Sequence, residues 1–290
     1  MTNPLHAPYY ADHCLQQGAT VVENVRLARD TYRLRVACPE IAARILPGQF
    51  LMFRLAGFTD PLIGRPLALF NTIADDSGAP WAIDVGYLVK GKFTSRLQHF
   101  LPGQAIELWG PLGNGFEPRP TERLLMVAGG IGQTPFLALG REMLGKQTYG
   151  DPSRSVDACS QAILCYGARS ADYLAGIEAF EESGIEVRLA TDDGTRGHHG
   201  LVTDLLLAAL DESDQPTRIV CCGPEPMMAA VARIAAERQV PCQVSLETPM
   251  ACGIGICFSC VAKVRTPDGE WDYKRTCVEG PVFNADQLEW

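Results

Sequence analysis

The stretch RLLMVAGGIGQTPF, residues 123–136, decides how the chain folds. Its first half is apolar at nearly every position, which suits a strand covered on both faces rather than one with a face open to water. The turn Gly129-Gly130-Ile131-Gly132 follows, and helix-start signals come next, with Thr134 as N-cap and Pro135 at the first helical position. A helix that opens from such a turn directs backbone N–H groups and its positive end at one point, where a pyrophosphate can sit. The same junction needs glycine for purely structural reasons, so the turn alone leaves both readings open.

Downstream the unit recurs: SQAILCYGA then ADYLAGIEAFEES, IEVRLATDD then LVTDLLLAAL, and TRIVCCG then EPMMAAVARIAAERQ. Four β-α units predict a parallel sheet with helices on both faces. The last contributes Cys221-Cys222-Gly223-Pro224-Glu225-Pro226-Met227, so two loops lie at carboxyl strand ends, where open α/β sheets bind ligands. Gly129, Gly130, Gly132, Thr134, Cys222, Gly223 and Pro224 become candidate dinucleotide contacts. Upstream, ATVVENVRLA, TYRLRVAC, GQFLMFRLA, RPLALFNTI, WAIDVGYLV and AIELWG are short β-type runs separated by turn formers, as in a small antiparallel barrel. The expected architecture is multidomain, β plus α/β. An antiparallel β-barrel spans 1–118, a parallel-sheet nucleotide-binding domain 119–240, and a small C-terminal domain with little periodic structure 241–290.

Eleven cysteines is an odd number, and they concentrate toward the C-terminal half, which does not suit a disulfide framework. Cys14, Cys38, Cys159, Cys165 and Cys242 sit in largely apolar contexts and read as buried thiols. Cys252, Cys257 and Cys260 are spaced x4 and x2, and sixteen residues separate them from Cys277, which is the plant-type spacing for a [2Fe-2S] centre. Gly253 and Gly255 let the backbone pass close to inorganic sulfide and direct N–H groups at it. The competing metal is zinc, but a four-cysteine zinc site normally shows two C-x2-C knuckles. A net charge of -9 repels a phosphate backbone, so nucleic acid is excluded as a partner. No window approaches the ~20 apolar residues that span a bilayer, and MTNPLHAPYYADH lacks a leader pattern, so no membrane association and a cytoplasmic location are expected.

The barrel segment holds Arg65-Pro66-Leu67-Ala68, Gly86-Tyr87-Leu88 and Phe93-Thr94. A proline-held arginine can pair with phosphate, Tyr87 can stack, and Thr94 can meet a second phosphate. Each also has a bland reading, as a surface charge, a half-buried strand aromatic or a turn. Their order along the chain argues for a site.

With these residues in place, the whole chain resembles the ferredoxin-NADP reductase superfamily. Within it, the chain is similar to the electron-transfer subunits of NAD-dependent, class 1B dihydroorotate dehydrogenases. The resemblance rests on Pro47-Gly48-Gln49-Phe50, GPLGNGF at 110–116, AGGIGQTPF at 128–136, CGPEPMM at 222–228, MACGIG at 250–255 and CVEGPVF at 277–283. Ala68 replaces the hydroxyl of the family's Arg-Pro-x-Ser/Thr signature, and Phe93 stands where glycine is usual. Ile256 and Ser259 replace alanines before the second and third cluster cysteines. The resemblance implies FAD against Arg65 to Ala68, Gly86 to Leu88 and Phe93-Thr94. It also implies NAD at the two loops and a [2Fe-2S] cluster on Cys252, Cys257, Cys260 and Cys277. A partner catalytic subunit bearing FMN, in a heterotetramer, would oxidise dihydroorotate and pass electrons through cluster and FAD to NAD+, in pyrimidine biosynthesis. No side-chain acid or base is needed for hydride transfer, so no catalytic residue is expected in this chain. Two rival readings are the small subunit of a ferredoxin-dependent NAD(P) oxidoreductase or cytoplasmic hydrogenase, where the first cluster ligand is often aspartate, and a zinc-stapled assembly subunit without redox role.

Overall fold

A computed structural model describes residues 11–290; the expectation about a leader, made on residues 1–13, falls mostly outside them. Six strands, β1 (Leu15–Ala28), β2 (Thr31–Ala37), β3 (Phe50–Leu55), β4 (Arg65–Ala74), β5 (Pro80–Leu88) and β6 (Ala105–Leu112), close into an antiparallel barrel in the order β1-β2-β5-β4-β3-β6. Inward positions alternate along the strands, as Leu34 and Val36 in β2 and Ile106 and Leu108 in β6 show, and all four are fully buried. Two short helices, α1 (Pro39–Arg44) and α2 (Lys92–Leu97), accompany the barrel. Ile41, Phe93 and Leu97 from these helices join its core.

The second module is a seven-stranded sheet. In chain order it comprises β7 (Arg123–Gly129), α3 (Phe136–Met143), β8 (Gln161–Ala168), α4 (Ile177–Glu182), β9 (Glu186–Thr191), β10 (His198–His199), α5 (Val202–Asp211), β11 (Thr217–Cys222), α6 (Glu225–Glu237) and β12 (Cys242–Ser245). The strand order is β10-β9-β8-β7-β11-β12, closed by the antiparallel β15 (Val282–Asn284) from the far end of the chain. The unbroken apolar run of β7 is explained by its two neighbours. Leu124, Met126 and Ala128 enter one core with α3 and α4, and Leu125 and Val127 enter another with α5 and α6. The C-terminal segment holds more regular structure than its sequence suggests: besides β12 and β15, β13 (Val261–Arg265) and β14 (Trp271–Arg275) form a hairpin.

The helix after the glycine turn begins later than its start signals indicate. Gly130–Gln133 form a 3-10 turn, Thr134 is already helical in φ and ψ, and its hydroxyl donates to the Ile131 carbonyl instead of capping. Among the scattered cysteines, Cys38, Cys159 and Cys165 are buried, whereas Cys14 and Cys242 are half-buried. His198 and His199 are exposed and pair as a two-residue strand with the end of β9. Among the described residues, no helix is long and apolar enough to cross a membrane.

Barrel and sheet are locked together by polar contacts. Arg154 donates to both oxygens of buried Glu142 on α3 and to the carbonyl of Phe116 in the connection leaving the barrel. Tyr149 donates to Asn71 of β4 at 2.8 Å, and Gln147 donates to the Thr72 hydroxyl at 2.7 Å. The Glu142 side chain is 3% exposed, so removing its cation leaves a charge with neither water nor partner. Arg154→Ala is expected to cost about 3 kcal/mol or more of stability. Arg119→Ala, which breaks the exposed Arg119–Glu117 pair, should cost no more than about 1 kcal/mol. Urea midpoints of the two variants against the parent check the difference.

Candidate functional site

The two loops at the carboxyl ends of β7 and β11 touch. A Cβ on Gly129 would lie 2.7 Å from Sδ of Met227, one on Gly132 would clash with the Cys222 carbonyl, and one on Gly223 would lie 2.9 Å from the Gly129 nitrogen. These three glycines are therefore required by loop-on-loop packing. Gly130 differs: its φ of +56° favours glycine, and a Cβ there would meet open space. It stands at the switch point, where β8 and β9 lie to one side of β7 and β11 to the other.

Facing these loops is strand β5 of the barrel. A Cβ on Gly86 would clash with Cγ2 of Thr134, so candidate residues from two modules stand in direct contact. Tyr87 alternates to the inside, where its ring stacks on Tyr32 at 5.5 Å and its hydroxyl donates to Asn24 at 2.9 Å. Burial pushes its pKa up, and the residue is 1% exposed, so its ring is withdrawn from any ligand. Phe93 also points into the barrel core, at 2% exposure, and so leaves the surface beside Thr94 unobstructed. The Thr94 hydroxyl accepts from the backbone nitrogens of Lys90 and Gly91. Pro66, Leu67, Ala68 and Leu88 are half-buried. The exposed Arg65 donates through Nη1 to the carbonyls of Ile63 and Gly64; among the described residues its Nε and Nη2 bond nothing and are free for an anion.

Glu247, just after β12, was not singled out from sequence; its only signal is adjacency to the cysteine motif. The residue is exposed, but the surrounding protein desolvates its carboxyl enough to raise its pKa, with Lys90 opposing. It acts electrostatically on the buried Cys222 thiol, whose pKa burial pushes well up. At the ends of β8 and β9, Arg169 lies 5.1 Å over the Tyr173 ring, and the Asp193 carboxylate accepts from the Thr195 amide and hydroxyl.

The cysteine segment sits against the barrel's other side. A Cβ on Gly253, whose φ is +75°, would lie 2.5 Å from Cγ of Met52 on β3, and Trp109 Nε1 on β6 donates to the Cys252 carbonyl at 2.9 Å. The stretches GPLGNGF, PGQF and CVEGPVF converge here. Asn114 donates to the carbonyls of Glu279 and Val282 and accepts from the Val282 amide, while Gln49 donates to the Gly113 carbonyl. These stretches thus brace the cluster segment against the barrel.

The thiols converge in two pairs, Cys252 with Cys257 and Cys260 with Cys277. The Ser259 hydroxyl brings Cys257 down to about 6, and Cys277, which keeps the proton, brings Cys260 down to about 6. The Ile254 amide points at Cys252 Sγ from 3.4 Å, and the Gly255 amide points at Cys277. Two thiol pairs, each met by one backbone N–H, suit a pair of irons carrying net negative charge; among the described residues no three of the thiols gather as a single metal group.

Comparison with known proteins agrees with this arrangement. Residues 18–116 match an oxidoreductase FAD-binding domain, 126–233 an oxidoreductase NAD-binding domain, and 247–289 the iron-sulfur cluster binding domain of dihydroorotate dehydrogenase B. The zinc reading gives way to that match. The dihydroorotate dehydrogenase B (NAD(+)) electron transfer subunit of Caldanaerobacter subterraneus is 34% identical over 93% of this chain and 97% of its own. That of Geobacillus kaustophilus is 36% identical over 94% and 98%. A solved NADH-dependent reduced ferredoxin-NADP oxidoreductase superposes with a TM-score of 0.76 at 27% identity, covering 94% of this chain and 90% of that one. The curated relatives are more similar in sequence and do not favour the ferredoxin or hydrogenase alternative. This oxidoreductase chain belongs to the family of dihydroorotate dehydrogenase B (NAD(+)) electron transfer subunits.

Proposed function

We propose that the chain passes electrons from the FMN of a dihydroorotate-oxidising catalytic subunit through a [2Fe-2S] cluster and FAD to NAD+, within a heterotetramer in the cytoplasm. The observation that carries this reading is the barrel's position. Strands β3 and β6 hold the cysteine loop, and β5 meets the nucleotide loops at Gly86. FAD takes up electrons singly and gives them up as a hydride, which is what a cluster feeding a nicotinamide requires.

The chain's own residues then have geometric tasks. Arg65 would hold a flavin phosphate through its unpartnered Nε and Nη2, flanked by Pro66, Leu67 and Ala68, with Gly86, Leu88 and Thr94 completing the wall and the buried Tyr87 and Phe93 supporting it from within the barrel. Gly130 admits the nicotinamide dinucleotide past the switch point, while Gly129, Gly132 and Thr134 and the Cys222-Gly223-Pro224 turn set the loop shape. Cys252 with Cys257 would hold one iron, and Cys260 with Cys277 the other. No residue serves as an acid or base in hydride transfer, so catalysis is positional. Units spanning 1–118, 119–240 and 241–290 carry the three tasks, the last lending strands β12 and β15 to the sheet of the second. The exposed Cys257, between Ile256 at 67% and Phe258 at 61% exposure, marks the face through which electrons enter from the partner.

The Cys277→Ser variant is expected to keep FAD and its NADH-dependent bleaching but to lose electron delivery from dihydroorotate in the reconstituted complex; loss of both together would mark the cysteines as chiefly structural. Placing a charge on the entry face, Ile256→Asp is expected to weaken assembly with the catalytic subunit about tenfold, or ~1.4 kcal/mol. An unchanged affinity by titration calorimetry would move the docking face elsewhere.

A further inference from the structure

Arg275, at the end of β14, reaches three segments that carry cluster cysteines. Nη1 donates to the Gly255 carbonyl at 3.0 Å, in the loop between Cys252 and Cys257. The guanidinium carbon lies 5.2 Å from the ring centroid of Phe258, between Cys257 and Cys260. Nη2 and Nε donate to the two carboxylate oxygens of Glu279, two residues beyond Cys277, at 2.8 and 3.3 Å. The Glu279 carboxylate also accepts from the Arg275 amide at 2.8 Å, and the amides of Val278 and Glu279 return to the Arg275 carbonyl. The two side chains are 18% and 26% exposed, so this pair is held within the structure rather than free in water.

The residues it grips are those whose backbone needs holding. Gly255 has a φ of +82°, and Phe258 has a φ of +55°, a conformation unfavourable for a residue with a side chain. A fixed cation over the Phe258 ring and a donor on the Gly255 carbonyl hold both sides of the exposed Cys257, a ligand with little packing of its own. The planar guanidinium can bond a carbonyl and a carboxylate while its face meets a ring; a lysine ammonium cannot.

We propose that Arg275 is the positioning residue of the cluster site, clamping the Cys252–Cys260 loop to the Cys277 segment through Gly255, Phe258 and Glu279. This rests on the cluster reading above. The clamp also neutralises the Glu279 carboxylate two residues beyond Cys277, and losing the guanidinium charge there disfavours the more negative, reduced cluster.

The test uses the full chain, reconstituted with iron, sulfide and FAD. Loss of visible cluster absorption to a chelator is timed, and the cluster's midpoint potential is followed by EPR. Arg275→Ala is expected to release iron on the order of 10–100-fold faster and to lower the midpoint, with FAD content and NADH-driven flavin bleaching unchanged. Arg275→Lys should release iron nearly as fast yet keep the midpoint, because the charge stays and the bridging is lost. If Arg275→Ala loses FAD as well, the lysine variant decides: faster release supports the clamp, and parental release overturns it. Parental release and midpoint in both variants overturn the inference alone, whereas a parent chain that takes up no iron overturns it together with the cluster reading.

Discussion

The modules approach one another more closely than any side chain allows. Gly86 meets Thr134 where barrel and sheet touch, Gly253 meets Met52 where the cysteine loop meets the barrel, and Gly113 meets Pro281 where the C-terminal segment returns. A Cβ at any of the three would force the modules apart, and electron transfer through protein depends on their proximity. The barrel is thus the common support for cluster, flavin and nicotinamide sites. The two polar locks, Tyr149 and Gln147 on Asn71 and Thr72 between sheet and barrel and Asn114 on the 279–282 backbone, fix orientation where glycine contacts fix only distance.

The barrel strands, the four β-α units and the cluster-binding segment were legible because each depends on local pattern: period-two alternation, continuous apolar runs and fixed spacing. What was not legible depended on distant pairing. Strand β15 has three residues and exists only because β12 offers it an edge, and the β13–β14 hairpin lies inside a stretch whose sequence period is weak. Thr134 has the composition of a cap and the position of one, yet the tight turn at Gly130–Gln133 brings the Ile131 carbonyl to its hydroxyl first.

The site shows the same division. The cysteines and the glycine loops could be named from sequence, but most of those glycines answer to packing, and Gly130 alone among them faces open space. Tyr87 and Phe93 point away from any side-chain contact with a ligand, since both are strand or helix residues committed to the barrel core. Glu247 and Arg275 carried no motif of their own. What distinguishes them emerges only from what folds beside them, neighbouring protein that desolvates one and three cysteine-bearing segments that converge on the other.

The measurement that tests the central claim most directly is an anaerobic NADH titration of the isolated chain loaded with FAD and cluster, followed by EPR and visible absorption. If the barrel joins the three sites as described, NADH bleaches the flavin and the EPR signal of a reduced [2Fe-2S] cluster rises with no partner present. A fully bleached flavin beside a cluster that stays EPR-silent would contradict the account, because flavin and cluster would not be in electronic contact.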